Sequence, residues 1–124
     1  MPIAYWCVLI AALLPLPLVA YAKSSSRDNN LPRDAAEKLS GAQRRAYAAH
    51  QNAYENFPFF AVAVIAALSF GGSATTVGLL AMLYIAFRLA HAALYIADVA
   101  TARSLAYGGG LFCNIAIFVL PAFK

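Results

Sequence analysis

Residues 44–60, RRAYAAHQNAYENFPFF, decide how this chain folds, because they carry charged and amide side chains directly into an apolar segment. If the segment continues as a membrane-spanning helix, its first turns lie close to the bilayer. Ionisable groups are costly there and are kept mainly where they face a cavity or another helix. At about 100° per residue, four polar side chains share one side of that helix. They are Arg45, Asn52, Glu55 and Asn56.

The composition around this segment is that of a membrane protein. Of the 124 residues, 63% are hydrophobic and 11% are charged, and the mean hydropathy is +0.69. Soluble domains have about half apolar and about a quarter charged residues. Because a span needs about 20 mostly apolar residues, the chain has room for about four spans and short loops. The prediction is an all-α integral membrane four-helix bundle that forms a single domain over residues 1–124.

Apolar runs and their interruptions place the spans at about 3–22, 41–70, 75–98 and 103–122. The end of the first run resembles a signal-peptidase site, but no positive region precedes the run, so we expect a retained helix. Pro15 and Pro17 are expected to loosen its second half, and Pro58 to kink the second span. In the polar loop 23–43, we expect a short interfacial helix after Pro32 and a helix cap at Ser40.

The loop 23–43 and the turn before the fourth span carry nearly all the flanking Lys and Arg, whereas the turn 71–73 carries none. The positive-inside rule then makes those two connections cytoplasmic and places both termini on the other side. A bacterial inner membrane is the preferred location. The net charge of +4 is read as this topology signal, and no nucleic-acid partner is expected, because no nucleic-acid motif accompanies it.

Two further polar stripes are predicted near the cytoplasmic ends of the third and fourth spans. At helical spacing the third span aligns several polar side chains within about 80°. These are Tyr84, Arg88, His91, Tyr95 and Asp98, and on the fourth span Arg103, Tyr107 and Asn114 share a face.

If the three stripes converge, they form a pocket with three cations (Arg45, Arg88 and Arg103) and two carboxylates (Glu55 and Asp98). Such a pocket suits a small zwitterionic or anionic ligand, since arginine grips carboxylates and a glutamate holds an ammonium group. An arginine beside a bound thiol also favours the nucleophilic thiolate.

Structural explanations stay open for several of these residues. Glu55 and Arg88 can form an ion pair that only joins two helices, and Arg44 can be an interfacial anchor. His50 points away from the stripe, and Asn114 lies deep in its span, so both suit helix–helix hydrogen bonds. No metal site is expected, and Cys7 and Cys113 lie in apolar segments as small hydrophobic residues.

Two passages resemble the MAPEG family, the membrane-associated proteins in eicosanoid and glutathione metabolism. AHQNAYENFP at 49–58 looks like the family's signature in helix two. RLAHAALY at 88–95 and RSLAY at 103–107 are similar to helices three and four of its microsomal glutathione transferase and prostaglandin E synthase type members. The likeness extends over nearly the whole chain.

The resemblance implies a homotrimer in contact with membrane lipids, which holds glutathione as cosubstrate between subunits and acts on a lipophilic small-molecule substrate. By position it implies that Asn52, Glu55, Arg88, His91 and Tyr95 bind glutathione. Arg103 would stabilise the thiolate, with Ser104 and Tyr107 beside it. The implied activity is glutathione transfer to lipophilic electrophiles or reduction of lipid hydroperoxides.

This chain departs from the family pattern at two positions in helix two. Ala48 stands where many members have an arginine, and Gln51 stands where several have a basic residue. Fewer cations then face the carboxylates of glutathione. Whether the chain is an active enzyme therefore stays open, and the alternative is a non-catalytic membrane subunit that binds a lipid or a larger membrane complex.

Overall fold

The computed structural model describes residues 1–26 and 29–123, and helices are the only regular elements in these two ranges. Arg27 and Asp28 of the predicted cytoplasmic loop and the C-terminal Lys124 lie outside the described residues. In chain order the elements are α1 (Ile3–Leu13), α2 (Pro15–Ala22), α3 (Pro32–Glu37), α4 (Gly41–Ser69), α5 (Ala74–Ile96), α6 (Ala100–Val119) and a 3₁₀ turn (Leu120–Phe123).

Three helical segments of the described chain are long and apolar enough to cross a membrane. They are Ile3–Ala22, Ala74–Ile96 and Ala100–Phe123. The all-helical prediction is confirmed, and these segments support the membrane assignment. The longest helix, α4, has 29 residues, but the polar stripe in its N-terminal half lowers its hydropathy. A fourth span over this helix therefore stays a prediction.

The first apolar segment is divided at Leu14, where α1 ends and α2 begins with Pro15. Neither Pro15 nor Pro17 has a backbone N–H, so the helical hydrogen-bond ladder is weakened here, as the sequence indicates. A neighbouring helix braces this position, because His50 Nδ1 of α4 donates to the carbonyl oxygen of Pro15 over 3.0 Å. Further along α4, the helix continues through Pro58 without a break.

The turn between α4 and α5 is fixed by backbone hydrogen bonds. Gly72 N–H donates to the carbonyl of Ala67 and Gly71 N–H to that of Leu68, with Gly71 at φ +77°. This is the Schellman arrangement, which needs a left-handed residue just after the helix. Ser73 then caps α5, since its side chain accepts from the N–H of Thr76. Ser40 occupies the corresponding position before α4 but makes no side-chain cap hydrogen bond.

The C-terminus of α5 has the same arrangement with an aspartate in the left-handed position. Val99 N–H donates to Leu94 and Asp98 N–H to Tyr95, while Asp98 has φ +62°. The sequence analysis predicts that the third helix reaches Asp98 and that its carboxylate lies on the polar stripe. That alignment is wrong, because the helix ends at Ile96 and Asp98 turns out of the helical path as an exposed residue.

The helices pack through two clusters of buried side chains. The larger cluster joins α1, α4, α5 and α6 around Phe60, whose ring stacks on Tyr84 with 4.0 Å between centroids. The smaller cluster joins α2, α4 and α5 through Leu18, Ala49, Ala53 and Ala92. Because many of the buried side chains are alanine, the helix backbones lie close together. The smaller cluster supports the end of the molecule where the polar stripes meet.

Glycines allow α5 and α6 to approach each other. A Cβ added at Gly109 would lie 2.5 Å from the ring of Phe87, and one at Gly110 would contact Tyr84 and Arg88 at 3.7 Å. The third residue of this run differs, since a Cβ at Gly108 would meet nothing within 4 Å. The predicted close approach therefore involves Gly109 and Gly110, while Gly108 lies on the outer surface of the chain.

Candidate functional site

A cavity of about 270 Å³ lies where α4, α5 and α6 meet. It forms because the polar stripes of these three helices face one another near the α5–α6 turn, as the helical spacing predicts. Six of the side chains singled out from the sequence line it: Asn52, His91, Tyr95, Arg103, Ser104 and Tyr107.

Arg88 does not line the cavity but contacts it through Asn52. Its side chain is 4% exposed, and its Nη2 donates to Asn52 Oδ1 over 2.6 Å. Asn56 Nδ2 in turn donates to the carbonyl oxygen of Asn52 over 2.8 Å. Asn52 therefore takes the place that the sequence suggested for Glu55 as the partner of Arg88.

Arg103 is positioned by an aromatic ring. Its guanidinium carbon lies 4.3 Å from the centroid of the Tyr95 ring, a cation–π contact between α6 and α5. The arginine is half-buried and lies at the start of α6, one helical turn before Tyr107. A cation is thereby fixed at the wall of the cavity instead of extending freely into solvent.

His91 lies between two tyrosines of the same cavity. Its ring centroid is 5.6 Å from that of Tyr95 and 6.0 Å from that of Tyr107. The side chain is 3% exposed, yet its Nδ1 has no hydrogen-bond partner among the described residues. Buried polar atoms are nearly always paired in folded proteins, so this atom is available to a ligand or an ordered water.

Four predicted site residues do not line the cavity: the Arg88 described above, Arg45, Glu55 and Asn56. Arg45 donates its Nε–H to the carbonyl oxygen of Ile96 over 3.0 Å, which ties the start of α4 to the end of α5. Glu55 is exposed and does not line the cavity. Asn56 is half-buried, and its side chain donates to the backbone carbonyl of Asn52. A single chain thus brings one cation, Arg103, and several hydrogen-bonding groups to the cavity wall without the Glu55 carboxylate.

The structure also shows two supporting contacts. Asn114 is 1% exposed and lies beside Tyr84, in line with the helix–helix role that its depth in the span suggests. The bond from His50 to Pro15 is likewise a contact between helices. Sequence spacing places Asn114 and Tyr84 on polar faces but cannot pair residues on different helices, so their contact was not predicted.

A scan against family models matches one described as the MAPEG family over residues 3–123, nearly the whole chain. The chain belongs to the MAPEG family. The comparisons with curated proteins and with solved structures give no match.

Membership of the MAPEG family confirms the family resemblance seen in the sequence but not the subtype and, together with the three apolar segments, identifies an integral membrane protein. The family match includes every residue of the cavity. Among the described residues no group of three or more His, Cys, Asp and Glu side chains could hold a metal ion. Around its opening this MAPEG chain instead offers a guanidinium, phenols, a serine hydroxyl and an amide, a set of donors that suits an organic anion.

Proposed function

We propose that the protein is a membrane-bound glutathione transferase or peroxidase that acts on lipophilic electrophiles or lipid hydroperoxides. The observation that carries this proposal is Arg103, fixed over Tyr95 at the wall of a cavity of about 270 Å³. A positioned guanidinium is what a site needs in order to hold a thiol as its thiolate.

The wall of the cavity suits the peptide part of glutathione. Asn52 lines this wall and accepts from the buried Arg88 guanidinium, so the pair brings an amide and a cation close to the polar groups of the ligand. His91 also lines this wall, and its buried Nδ1 has no hydrogen-bond partner among the described residues. Arg45, which caps α5, acts in the proposal by fixing the α4–α5 geometry.

The chemistry follows from the charge at Arg103. In transfer, a carbon–sulfur bond forms while the bond to the leaving group breaks. In peroxide reduction, sulfur takes the terminal oxygen, the oxygen–oxygen bond breaks, and a second thiol completes reduction to alcohol, disulfide and water. Arg103 stabilises the thiolate in both cases, and Ser104 and Tyr107 can donate hydrogen bonds to the sulfur or to the departing oxygen.

We further propose a homotrimer of four-span subunits in which α4 is the second span. Glu55 is exposed on this helix, and an exposed carboxylate is costly in a membrane unless another surface covers it. In the trimer, Glu55 would approach the ligand's ammonium group from a neighbouring subunit. Both termini would lie on the non-cytoplasmic side, and the loop 23–43 on the cytoplasmic side of a bacterial inner membrane.

Calorimetric titration of the detergent-purified protein with glutathione tests the proposal. We expect Glu55→Ala to abolish measurable binding, and Arg103→Ala to leave binding within a few fold but lower turnover with a model aryl halide by about 100-fold. Arg33→Ala, which removes a cation from α3 far from the cavity, is the matched control.

Retained turnover in Arg103→Ala would overturn the role of the arginine. Absence of glutathione binding at millimolar concentration would instead favour a non-catalytic subunit that binds a lipid or a larger membrane complex. The positions of Ala48 and Gln51, which supply no cation, are the observation in favour of that second candidate.

A further inference from the structure

We propose that Lys23, Tyr47 and Arg44 form a binding site for the phosphate of an anionic membrane phospholipid. This site, the Tyr47 cluster, is separate from the cavity lined by Arg103. It lies where the first apolar segment ends and α4 begins.

Two cations converge on one aromatic ring in the Tyr47 cluster. Lys23 Nζ lies 5.6 Å and the Arg44 guanidinium carbon 5.9 Å from the centroid of the Tyr47 ring. Both distances are within the range of cation–π contacts. Two like charges that approach the same ring repel each other, and a bound anion relieves that repulsion. Among residues 1–26 and 29–123, no carboxylate forms an ion pair with either cation.

Neighbouring hydrogen bonds hold the two cations together although they are far apart in sequence. Gln43 accepts from Ser25 Oγ over 2.9 Å and donates to Ser24 Oγ over 3.0 Å. These contacts join the residues directly after Lys23 to the residue directly before Arg44. Side-chain hydrogen bonds thus link the two segments of the chain that carry the cations.

The Tyr47 ring that both cations approach also contacts neighbouring rings. Tyr47 contacts the His50 ring at 5.4 Å between centroids, and His50 contacts the Tyr54 ring at 5.0 Å. His50 is itself anchored to the carbonyl oxygen of Pro15. The Tyr47 cluster therefore has a rigid aromatic base, so little ordering is required when an anion binds.

The position of the cluster selects a lipid as its occupant. Lys23 directly follows the apolar segment Ile3–Ala22, and tyrosines with basic residues are typical of the boundary between hydrocarbon and headgroups. Tyr54 lies two turns further along α4, about 10 Å deeper, and is 50% exposed. A headgroup phosphate can bind at Lys23 and Arg44 while its acyl chains follow this exposed aromatic face. A phospholipid with net negative charge fits both parts.

Native mass spectrometry of the full-length protein in an uncharged detergent tests the Tyr47 cluster. Dioleoylphosphatidylglycerol and dioleoylphosphatidylcholine are the two probes. We expect the wild type to bind phosphatidylglycerol at least fivefold more tightly than phosphatidylcholine. Lys23→Gln and Arg44→Gln should each weaken phosphatidylglycerol binding by about fivefold, the usual effect of one basic residue near an anionic membrane surface.

Arg33→Gln and Lys38→Gln are matched controls, since they remove the same charge from the same loop, outside the cluster. Tyr47→Leu should also weaken binding, and Tyr47→Phe should not, because the ring positions the cations. An equal loss in the controls, or equal binding of the two lipids, would overturn the proposal. Displacement of the lipid by inorganic phosphate at matched concentration would overturn the assignment to a lipid. Each Lys or Arg variant removes a side-chain charge from the surface, so these variants give a result even if Tyr47→Leu does not fold.

Discussion

Asp98 has a backbone φ of +62° at the C-terminus of α5, a conformation that costs most residues about 1 kcal/mol or more. Aspartate tolerates this conformation better than branched residues do. We expect Asp98→Gly to keep or slightly raise thermal stability and Asp98→Val to lower it by about 1–2 kcal/mol. Thermal unfolding in detergent measures both. Equal stability of the two variants would contradict the Schellman assignment.

The contact of Arg88 with Asn52 predicts that removing Asn52 alone lowers stability more than replacing both residues. Its buried guanidinium donates to Asn52 Oδ1 over 2.6 Å. Asn52→Leu removes this acceptor from a buried charge, so we expect a loss of about 3 kcal/mol. Asn52→Leu with Arg88→Met removes both polar groups and should recover much of that loss. The same unfolding assay decides this, and a double variant less stable than the single one would contradict the expectation.

At the scale of the elements, the contact between α5 and α6 depends on which side of a helix each glycine faces. A Cβ at Gly109 would lie 2.5–2.8 Å from three atoms of the Phe87 ring, whereas one at Gly108 would have no neighbour within 4 Å. We expect Gly109→Ala to lower the melting temperature relative to Gly108→Ala, because α6 must shift away from α5. Phe87→Leu should restore part of the stability of Gly109→Ala. Failure of that rescue would show that the glycine matters for another reason.

At the scale of the whole molecule, the chain leaves part of its proposed site uncovered. Glu55 and Ser104 are exposed, and so are large apolar side chains such as Leu105 (72%) and Phe112 (69%). Lipid can cover the apolar groups but not the carboxylate, so we expect a neighbouring copy to cover Glu55 in the trimer proposed above. Native mass spectrometry in mild detergent should give a trimer, and Glu55→Leu should change glutathione binding more than trimer mass. A monomer that binds glutathione with wild-type affinity would contradict the expectation.

Helical spacing explains why much of the site could be predicted. Residues on the same helix keep a fixed angular relation, so the sequence alone places Arg88, His91 and Tyr95 on one face. Partners on different helices depend on rotation and depth, which spacing does not determine. For that reason the sequence could not show that the partner of Arg88 is Asn52 and not Glu55. The same limit applies to Arg45, whose partner is the backbone of Ile96.

The sequence by itself determined the helical fold, the membrane character and the family, because these depend on composition, apolar run length and local motifs. Only the tertiary structure decided where α5 stops, which side chains line the cavity and how Lys23 and Arg44 come to share one ring. Where a helix ends depends on the backbone conformation of the turn that follows it. Which residues touch across two helices depends on how closely small side chains let the helices pack. The first is a matter of backbone dihedral angles that the side-chain pattern does not reveal, and the second depends on residues far apart in the chain.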